Sequence, residues 1–312
     1  MNIFATVLTY VAPSANYRGE SEENRSVMQK VTHRRFEYAI ISPEAMRNAL
    51  REILQGYGAP CNRERLHNED QLAVRFEDYP YPEKYADDFI FGYFVADRKQ
   101  IPEKIIKERG GFQYKRDSVL RMNLAKALEP YRHDSLLTQS PLTIKNPDAP
   151  WQNATTSALL HRETSLTPFQ YPFAINLNDC RSDDSEQDQN YKDWLRYLLK
   201  GISELSGVAG NQARSYFEMA PASIVIRLSE SLVAGYNTYG FKQDGSFPEV
   251  IDGILKDDYP GSEFYLGGQI VKEVLDVDTQ AKLKEKSVNM FRMGSQALDA
   301  VAIKATGKGF GS

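Results

Sequence analysis

Residues Asn2–Val11 are apolar or β-branched at nearly every position. Ile3, Ala5, Val7, Thr9 and Val11 share one parity and Phe4, Thr6, Leu8 and Tyr10 the other. Period-two patterning makes this stretch a strand, and apolar residues on both faces make it a central one. A strand of that kind obliges other parts of the chain to flank it. The helix that follows is equally legible. Ser42-Pro43-Glu44 supplies a serine N-cap, a first-turn proline and an acid at the positive dipole end. Met46, Ala49, Leu50, Ile53 and Leu54 then recur at helical spacing, with Arg47, Asn48 and Arg51 on the opposite face, and Gly56 and Gly58 end it.

The patterning predicts further strands over Phe36–Ile41, Gln71–Glu77, Asp88–Ala96, Phe169–Leu177 and Ser223–Leu228. A second amphipathic helix is predicted over Tyr191–Ser206, with Trp194, Leu195, Leu198, Ile202 and Leu205 inward, and another helix from about Thr279 to Ala300. Between these lie a long polar loop, Ala12–Arg35, and a basic stretch over 98–132 with a Gly110-Gly111 break and one short helix. A polar excursion over Thr138–Pro168, an acidic linker over Cys180–Asn190 and a small-residue loop over Gly207–Ser215 follow. The tail Thr306–Ser312 reads as flexible. Strand, helix, strands, insertion, strand, helix, strand is the order of an α+β domain of the ferredoxin or RNA-recognition type with large insertions.

A chain of 312 residues, 41% of them hydrophobic, can bury a substantial core. Its net charge of −4 conceals polarity: 98–132 holds ten basic residues against four acids, and 244–278 nine acids against two bases. One surface of such a molecule can face an anionic polymer. Cys61 and Cys180 are too few for a disulfide scaffold and suit a reducing cytoplasm. The four histidines show no metal-ligand spacing, so no metal or cofactor is expected. No positively charged segment precedes the apolar start, which argues against a signal peptide, and no apolar run approaches the length of a membrane helix.

Phosphate-loop, dinucleotide, zinc-protease and nucleophile-elbow motifs are all missing, so the chain is not expected to be an enzyme. The loop 12–35 gathers amides, Gly19 and the basic residues Arg18, Arg25, Lys30, His33, Arg34 and Arg35. Arginine forks and backbone N–H groups suit phosphates, and amides can bridge phosphate and 2′-hydroxyl. An ordinary surface loop carrying Glu20, Glu22 and Glu23 fits the same composition.

An ordered series of short motifs goes further. Asn16-Tyr17-Arg18-Gly19-Glu20-Ser21-Glu22, Gln29-Lys30 and Ser42 to Arg51 come first, then Asp87 to Tyr93, Lys115-Arg116-Asp117-Ser118 and Leu128-Glu129-Pro130-Tyr131. Asn153-Ala154-Thr155-Thr156, Leu160-His161-Arg162-Glu163 and Phe169 to Phe173 complete it. The series, over about 1–230, resembles the DevR family, the crRNA-binding backbone subunits of type I CRISPR Cascade effector complexes, and looks most like the type I-B branch.

The resemblance implies a right-hand shape, with an RNA-recognition-like palm, a finger insertion and a thumb. Residues 1–60 would begin the palm and carry the RNA-binding loop, 61–135 would be the finger-type insertion with palm strands, and 136–168 the thumb. Residues 169–230 would complete the palm and 231–312 would be a C-terminal extension. It implies copies polymerising along a crRNA, holding its backbone and leaving bases to pair with target DNA, beside other Cascade subunits and away from membranes. Asn16, Arg18, Gln29 and Lys30 would touch the guide from the loop, and Ser42, Arg47 and Arg51 from the first helix. Asn211, Gln212, Arg214 and Ser215 would hold phosphates after the second helix. Leu159 or Leu160 would be the thumb's apolar wedge, with His161 and Arg162 beside the backbone. The chain has no ribonucleoprotein-type aromatic signature, which fits backbone holding. Two other classes remain: a guide-dependent ribonuclease of the type III backbone kind, and a stand-alone α+β structural or ligand-binding protein.

Overall fold

The computed structural model describes residues 1–14, 17–22, 25–65, 74–96, 101–139, 159–208 and 217–311. β1 (Asn2–Thr9) is the central strand its two-sided pattern requires: it pairs antiparallel on both edges, and seven of its eight residues are buried. The stretch expected as one long polar loop instead forms short strands, β2 (Ala12–Ser14), β3 (Tyr17–Glu22), β4 (Arg25–Met28) and β5 (Lys30–His33), before β6 (Phe36–Ile41). Strands of three to six residues are too short to show a clear period, so their composition does not separate them from loop. β5 turns into β6 at Arg34, whose φ is 58°.

α1 (Pro43–Gly56) starts where Ser42 Oγ accepts from the Ala45 N–H at 3.2 Å. β7 (Arg63–Arg65) and β8 (Val74–Phe76) form an antiparallel ribbon; residues 71–73 of the expected strand lie outside the described residues. The strand expected over Asp88–Ala96 is corrected to α2 (Ala86–Phe91) and a short β9 (Tyr93–Phe94). All six residues of α2 are buried, so the apolar run has no periodicity that would distinguish helix from strand. Gly92 makes the turn between them at φ 65° and ψ 179°, a conformation open essentially to glycine alone.

The basic stretch contains α3 (Glu103–Glu108), β10 (Lys115–Arg116), β11 (Leu120–Met122) and β12 (Ala125–Ala127). The polar excursion leaves through β13 (Ser135–Gln139) and returns through its antiparallel partner β14 (Leu159–Glu163), followed by β15 (Ser165–Thr167) and β16 (Phe169–Asn176). α4 (Ser185–Ser203) starts inside the expected acidic linker. Asp184 caps it by accepting from the Gln187 N–H at 2.8 Å, and Glu186 and Asp188 sit in its first turn. β17 (Pro221–Ser229), α5 (Pro248–Leu255) and β18 (Phe264–Gly268) follow. The single helix expected over 279–300 is two, α6 (Val277–Glu285) and α7 (Gly294–Thr306), on either side of β19 (Asn289–Phe291). The tail is not loose. The Phe310 N–H donates to Asp299 Oδ1, Arg196 donates to the Gly309 carbonyl at 3.3 Å, and Lys308 pairs with Asp193 at 3.4 Å.

The result is an α+β architecture on a mixed sheet. Among the described residues that sheet runs β19-β18-β17-β1-β16-β12-β6-β5, with β11 also on β16. Only β18 and β19 pair parallel along this path. The inner face (Ile3, Ala5, Val7, Ile175, Ile224, Ile226) packs on α1, α4 and α7. The outer face at Leu8, Val225 and Leu266 is covered by Phe241, Phe247, Val250 and Ile254 from the C-terminal extension. A second sheet, β13-β14-β4-β3, joins the excursion to the segment expected as a loop. Among the described residues no helix is long and apolar enough to cross a membrane.

Candidate nucleic-acid interface

The second sheet brings together two groups of residues that lie far apart in sequence. β14 runs parallel to β4, with His161 opposite Arg25 and Arg162 opposite Ser26. The joint is made by Glu163, only 2% exposed. Its Oε2 accepts from the Met28 N–H at 3.0 Å and from Lys30 Nζ at 3.3 Å, and Lys30 also lies over the Tyr131 ring at 4.2 Å. Lys30, expected to reach out to phosphate, is therefore drawn inward to neutralise a buried carboxylate. Gln29 is half-buried and its carbonyl accepts from the Ile40 N–H at 3.1 Å. His161 is exposed on the excursion, beside Leu159, which is 53% exposed, and across from Leu137, 60% exposed. Asn16, Asn211, Gln212, Arg214 and Ser215 lie outside the described residues, as do the side chains of Arg18 and Leu160.

On α1 the candidates separate. Ser42 is used as the cap. Arg47 is half-buried, donates from Nη2 to the Leu120 carbonyl at 3.3 Å, and keeps a buried Nε without a partner. Burial lowers its pKa, Glu44 opposes that shift and the like charge of Arg63 adds to it. It lines an open cleft of about 460 Å³ with Asp117, Ser118, Arg121 and Asn123. Arg121 and Asn123 are exposed there, and the sequence reading did not single them out. An alternating Leu-Arg-Met-Asn series on an edge strand is the signal that could have marked them.

Arg51 corrects its expected place on the solvent face, since it is 6% exposed. Its Nε donates to Asp87 Oδ2 at 3.1 Å, its Nη1 to Asn48 Oδ1 at 2.7 Å, and its guanidinium lies 5.1 Å from the Phe91 ring. The fully buried Asp87 also accepts from the Asn62 N–H at 2.7 Å and the Arg63 N–H at 3.1 Å. Asp88 beside it takes Asn62 Nδ2 at 2.8 Å and the Tyr81 N–H at 3.0 Å, while its Oδ1 has no hydrogen-bond partner. Desolvation raises Asp88, partly offset by its bond from Asn62. These charges fasten α2 and the segment at Asn62-Arg63 to α1.

The arrangement can hold anions with exposed guanidinium and imidazole groups around buried, paired charge. Burial pushes the thiols of Cys61 and Cys180 up to about 12. Among the described residues no three His, Cys, Asp or Glu side chains converge on a point where a metal would sit.

No family model matches the chain. Two chains of known structure share its fold along nearly their whole length. One, from a CRISPR RNA-guided surveillance complex in a pre-nicking state, superposes with a TM-score of 0.59 at 11% identity, covering 98% of this chain and 100% of that one. Another, from a CRISPR RNA-guided surveillance complex, gives 0.55 at 14% identity with the same coverage. In sequence the chain is similar to the CRISPR-associated protein Cas7/Cst2/DevR of Myxococcus xanthus (strain DK1622), at 26% identity over 286 residues, 87% of this chain and 88% of that protein.

Proposed function

We propose that the chain is a non-catalytic, crRNA-binding backbone subunit of a type I CRISPR effector complex, of the I-B kind. It polymerises along the guide, beside other Cascade subunits in the cytoplasm, and presents the guide for pairing with target DNA. The observation that carries this reading is the similarity to a Cas7/Cst2/DevR protein along 87% of the chain, joined to a fold shared with chains of guided surveillance complexes. In this reading the strand order β17-β1-β16-β12, with α1 and α4 on one face, is the RNA-recognition-like palm. Residues 61–135 are the finger-type insertion together with the palm strands β11 and β12, and the β13–β14 excursion is the thumb. The guide's phosphates meet Arg47 and Arg121 in their cleft, and Arg18, His161 and Arg162 along the second sheet. Lys30 and Arg51 support that surface from behind rather than touching RNA.

The absence of chemistry belongs to the same reading. Phosphodiester hydrolysis needs a metal held by carboxylates or a positioned base. The segment between β1 and α1 has no aspartate, its acids being Glu20, Glu22, Glu23 and Glu37, and the buried carboxylates Asp87, Asp88 and Glu163 are engaged by structural donors.

The test is co-expression with the neighbouring genes, followed by sequencing of the RNA that copurifies and light scattering across a salt series. Particles that lengthen only with guide RNA and shorten as salt rises are expected, because counterion release drives phosphate contacts. Salt-insensitive filaments without RNA would refute the reading. Cleavage of labelled complementary RNA or DNA, abolished by Glu20→Gln, would move the chain to the ribonuclease class.

A further inference from the structure

The outer face of the main sheet is covered unevenly. The C-terminal extension covers β1, β17 and β18, and its cover ends at two residues. Phe241 is held by the Gln170 amide, and the Tyr239 hydroxyl donates to the Leu124 carbonyl at 2.7 Å. Past that wall the same face continues over β12, β6 and β5. Register places Lys126 opposite Ile40, Tyr38 opposite Val31 and Phe36 opposite His33, all on the parity opposite the core residues Ala39, Ile41, Ala125 and Ala127. Phe36 is 57% exposed. The His33 ring meets Tyr38 edge-on at 6.3 Å. Lys126 Nζ stands between two rings, 5.2 Å from Tyr38 and 5.4 Å from Tyr239, and among the described residues no carboxylate lies within ion-pair distance of it. Burial lowers its pKa with no acid to offset the shift. The β5–β6 turn adds Arg34 and Arg35, both exposed, next to Phe36. Glu37, the nearest acid in sequence, is on the other parity of the strand.

We propose that this face is a stacking site for unpaired nucleotides of a single-stranded nucleic acid, with bases on Phe36 and Tyr38 and phosphates at Lys126, Arg34 and Arg35. Aromatic rings are sequence-tolerant partners because every base has a π-face, and interleaved cations without carboxylates suit the phosphates between those bases. An apolar protein surface would instead desolvate three cations with nothing to pair them. The site is distinct from the guide-holding surface, which lies on the second sheet and in the Arg47 cleft, and it does not depend on that reading. A guide held elsewhere leaves this face free for a strand that is not base-paired.

The test uses the full chain as purified, with whatever RNA it carries. Fluorescence anisotropy is followed as it is titrated into labelled oligothymidylate, oligouridylate and an abasic oligomer of the same length. Stacking and phosphate contacts predict similar affinity for the thymidylate and uridylate strands and weaker binding of the abasic one. Phe36→Ala, a change at an exposed ring that leaves melting unaltered, should weaken the two base-bearing strands about tenfold and leave the abasic one unchanged. Lys126→Gln should weaken all three and lower the salt slope by about one. Equal binding of abasic and base-bearing strands, or unchanged affinity in Phe36→Ala, would overturn the proposal. So would loss of self-association in Phe36→Ala with oligonucleotide affinity intact, which would assign the face to a second copy. Copurified RNA retained by both variants would leave the guide-holding reading standing whichever way the titration falls.

Discussion

Asp87→Asn isolates the joint between α1, α2 and the Asn62-Arg63 segment. The carboxylate accepts three hydrogen bonds, from Asn62 N–H on Oδ1 and from Arg51 Nε and Arg63 N–H on Oδ2, and it is fully buried. An amide has one acceptor oxygen. Turned toward Asn62, it sets its NH2 against the two arginine donors; turned toward them, it sets its NH2 against Asn62. Either way Arg51, 6% exposed, loses its counter-charge. Breaking a buried pair costs about 3–5 kcal/mol, and that range already includes much of the orphaned donors' own cost of about 1–3 kcal/mol. A loss of about 4 kcal/mol is expected. With unfolding entropy near about 2.1 cal/mol/K per residue over 312 residues, that is a fall in Tm of about 6 °C. Urea unfolding followed by tryptophan fluorescence reads it, because Trp194 packs on Phe89 of α2 at 5.7 Å. Adding Arg51→Met should recover about 2 kcal/mol of the loss, since the stranded guanidinium is then gone. A loss below about 1 kcal/mol, or strict additivity of the two changes, would refute the claim that this pair carries the joint.

Asp88→Asn should have the opposite sign. Burial raises the folded carboxyl above its unfolded value, so its ionisation penalty is absent below about pH 3.8, grows as pH rises from there and is complete above the folded pKa. The asparagine variant should match or exceed the parent at pH 7 and lose that pH dependence, and a destabilised variant at pH 7 would count against it. Gly92→Ala places a Cβ against the Arg116 carbonyl and Ser118 nitrogen at a backbone conformation alanine avoids; denaturant unfolding should show a loss of at least about 2 kcal/mol. Glu163→Gln should loosen the β14–β4 joint by about 2 kcal/mol while the core stays intact. Faster amide exchange at Met28, with β1 protection unchanged, is the expected readout.

What could be read from the sequence was whatever periodicity and capping encode. β1, α1, β16 and β17 were legible because each alternates or repeats against a core that covers it. The inner stripe of α4 was legible for the same reason, though its first turn was hidden among the acids of Glu186 and Asp188, which read as linker until Asp184 is seen to cap them. α2 was lost because a segment buried on every side carries no period. The strands β2 to β5 were lost because strands of three to six residues, rich in Arg, Glu, Lys and Ser, look like loop until their partners are known. The joining of the β13–β14 excursion to that segment is a long-range pairing, 135 positions between Met28 and Glu163, and no local pattern announces it.

Two candidate residues were misplaced by the sequence for a related reason. A basic residue on an amphipathic helix or in a polar segment looks the same whether it faces phosphate or a buried acid. Arg51 and Lys30 each meet a carboxylate from a distant insertion, Asp87 from the helix after β8 and Glu163 from the strand that ends the excursion. Those two pairs do the same mechanical task at the two insertions: each ties an appendage to the sheet-and-helix frame through one buried carboxylate that gathers several donors. In the function proposed above, a subunit repeated along a filament needs its appendages held at fixed angles, and a hydrogen-bonded buried charge fixes direction where an apolar contact fixes only proximity. Arg121, His161 and the Arg34-Arg35 turn stay exposed and Arg47 lines its cleft, and in that reading these are charges an anionic polymer would meet. Nucleic-acid affinity should therefore respond to Arg121→Gln with little change in melting and to Arg47→Gln with some loss of melting as its bond to the Leu120 carbonyl goes, whereas Arg51→Gln and Lys30→Gln should lower melting first and affinity only through it.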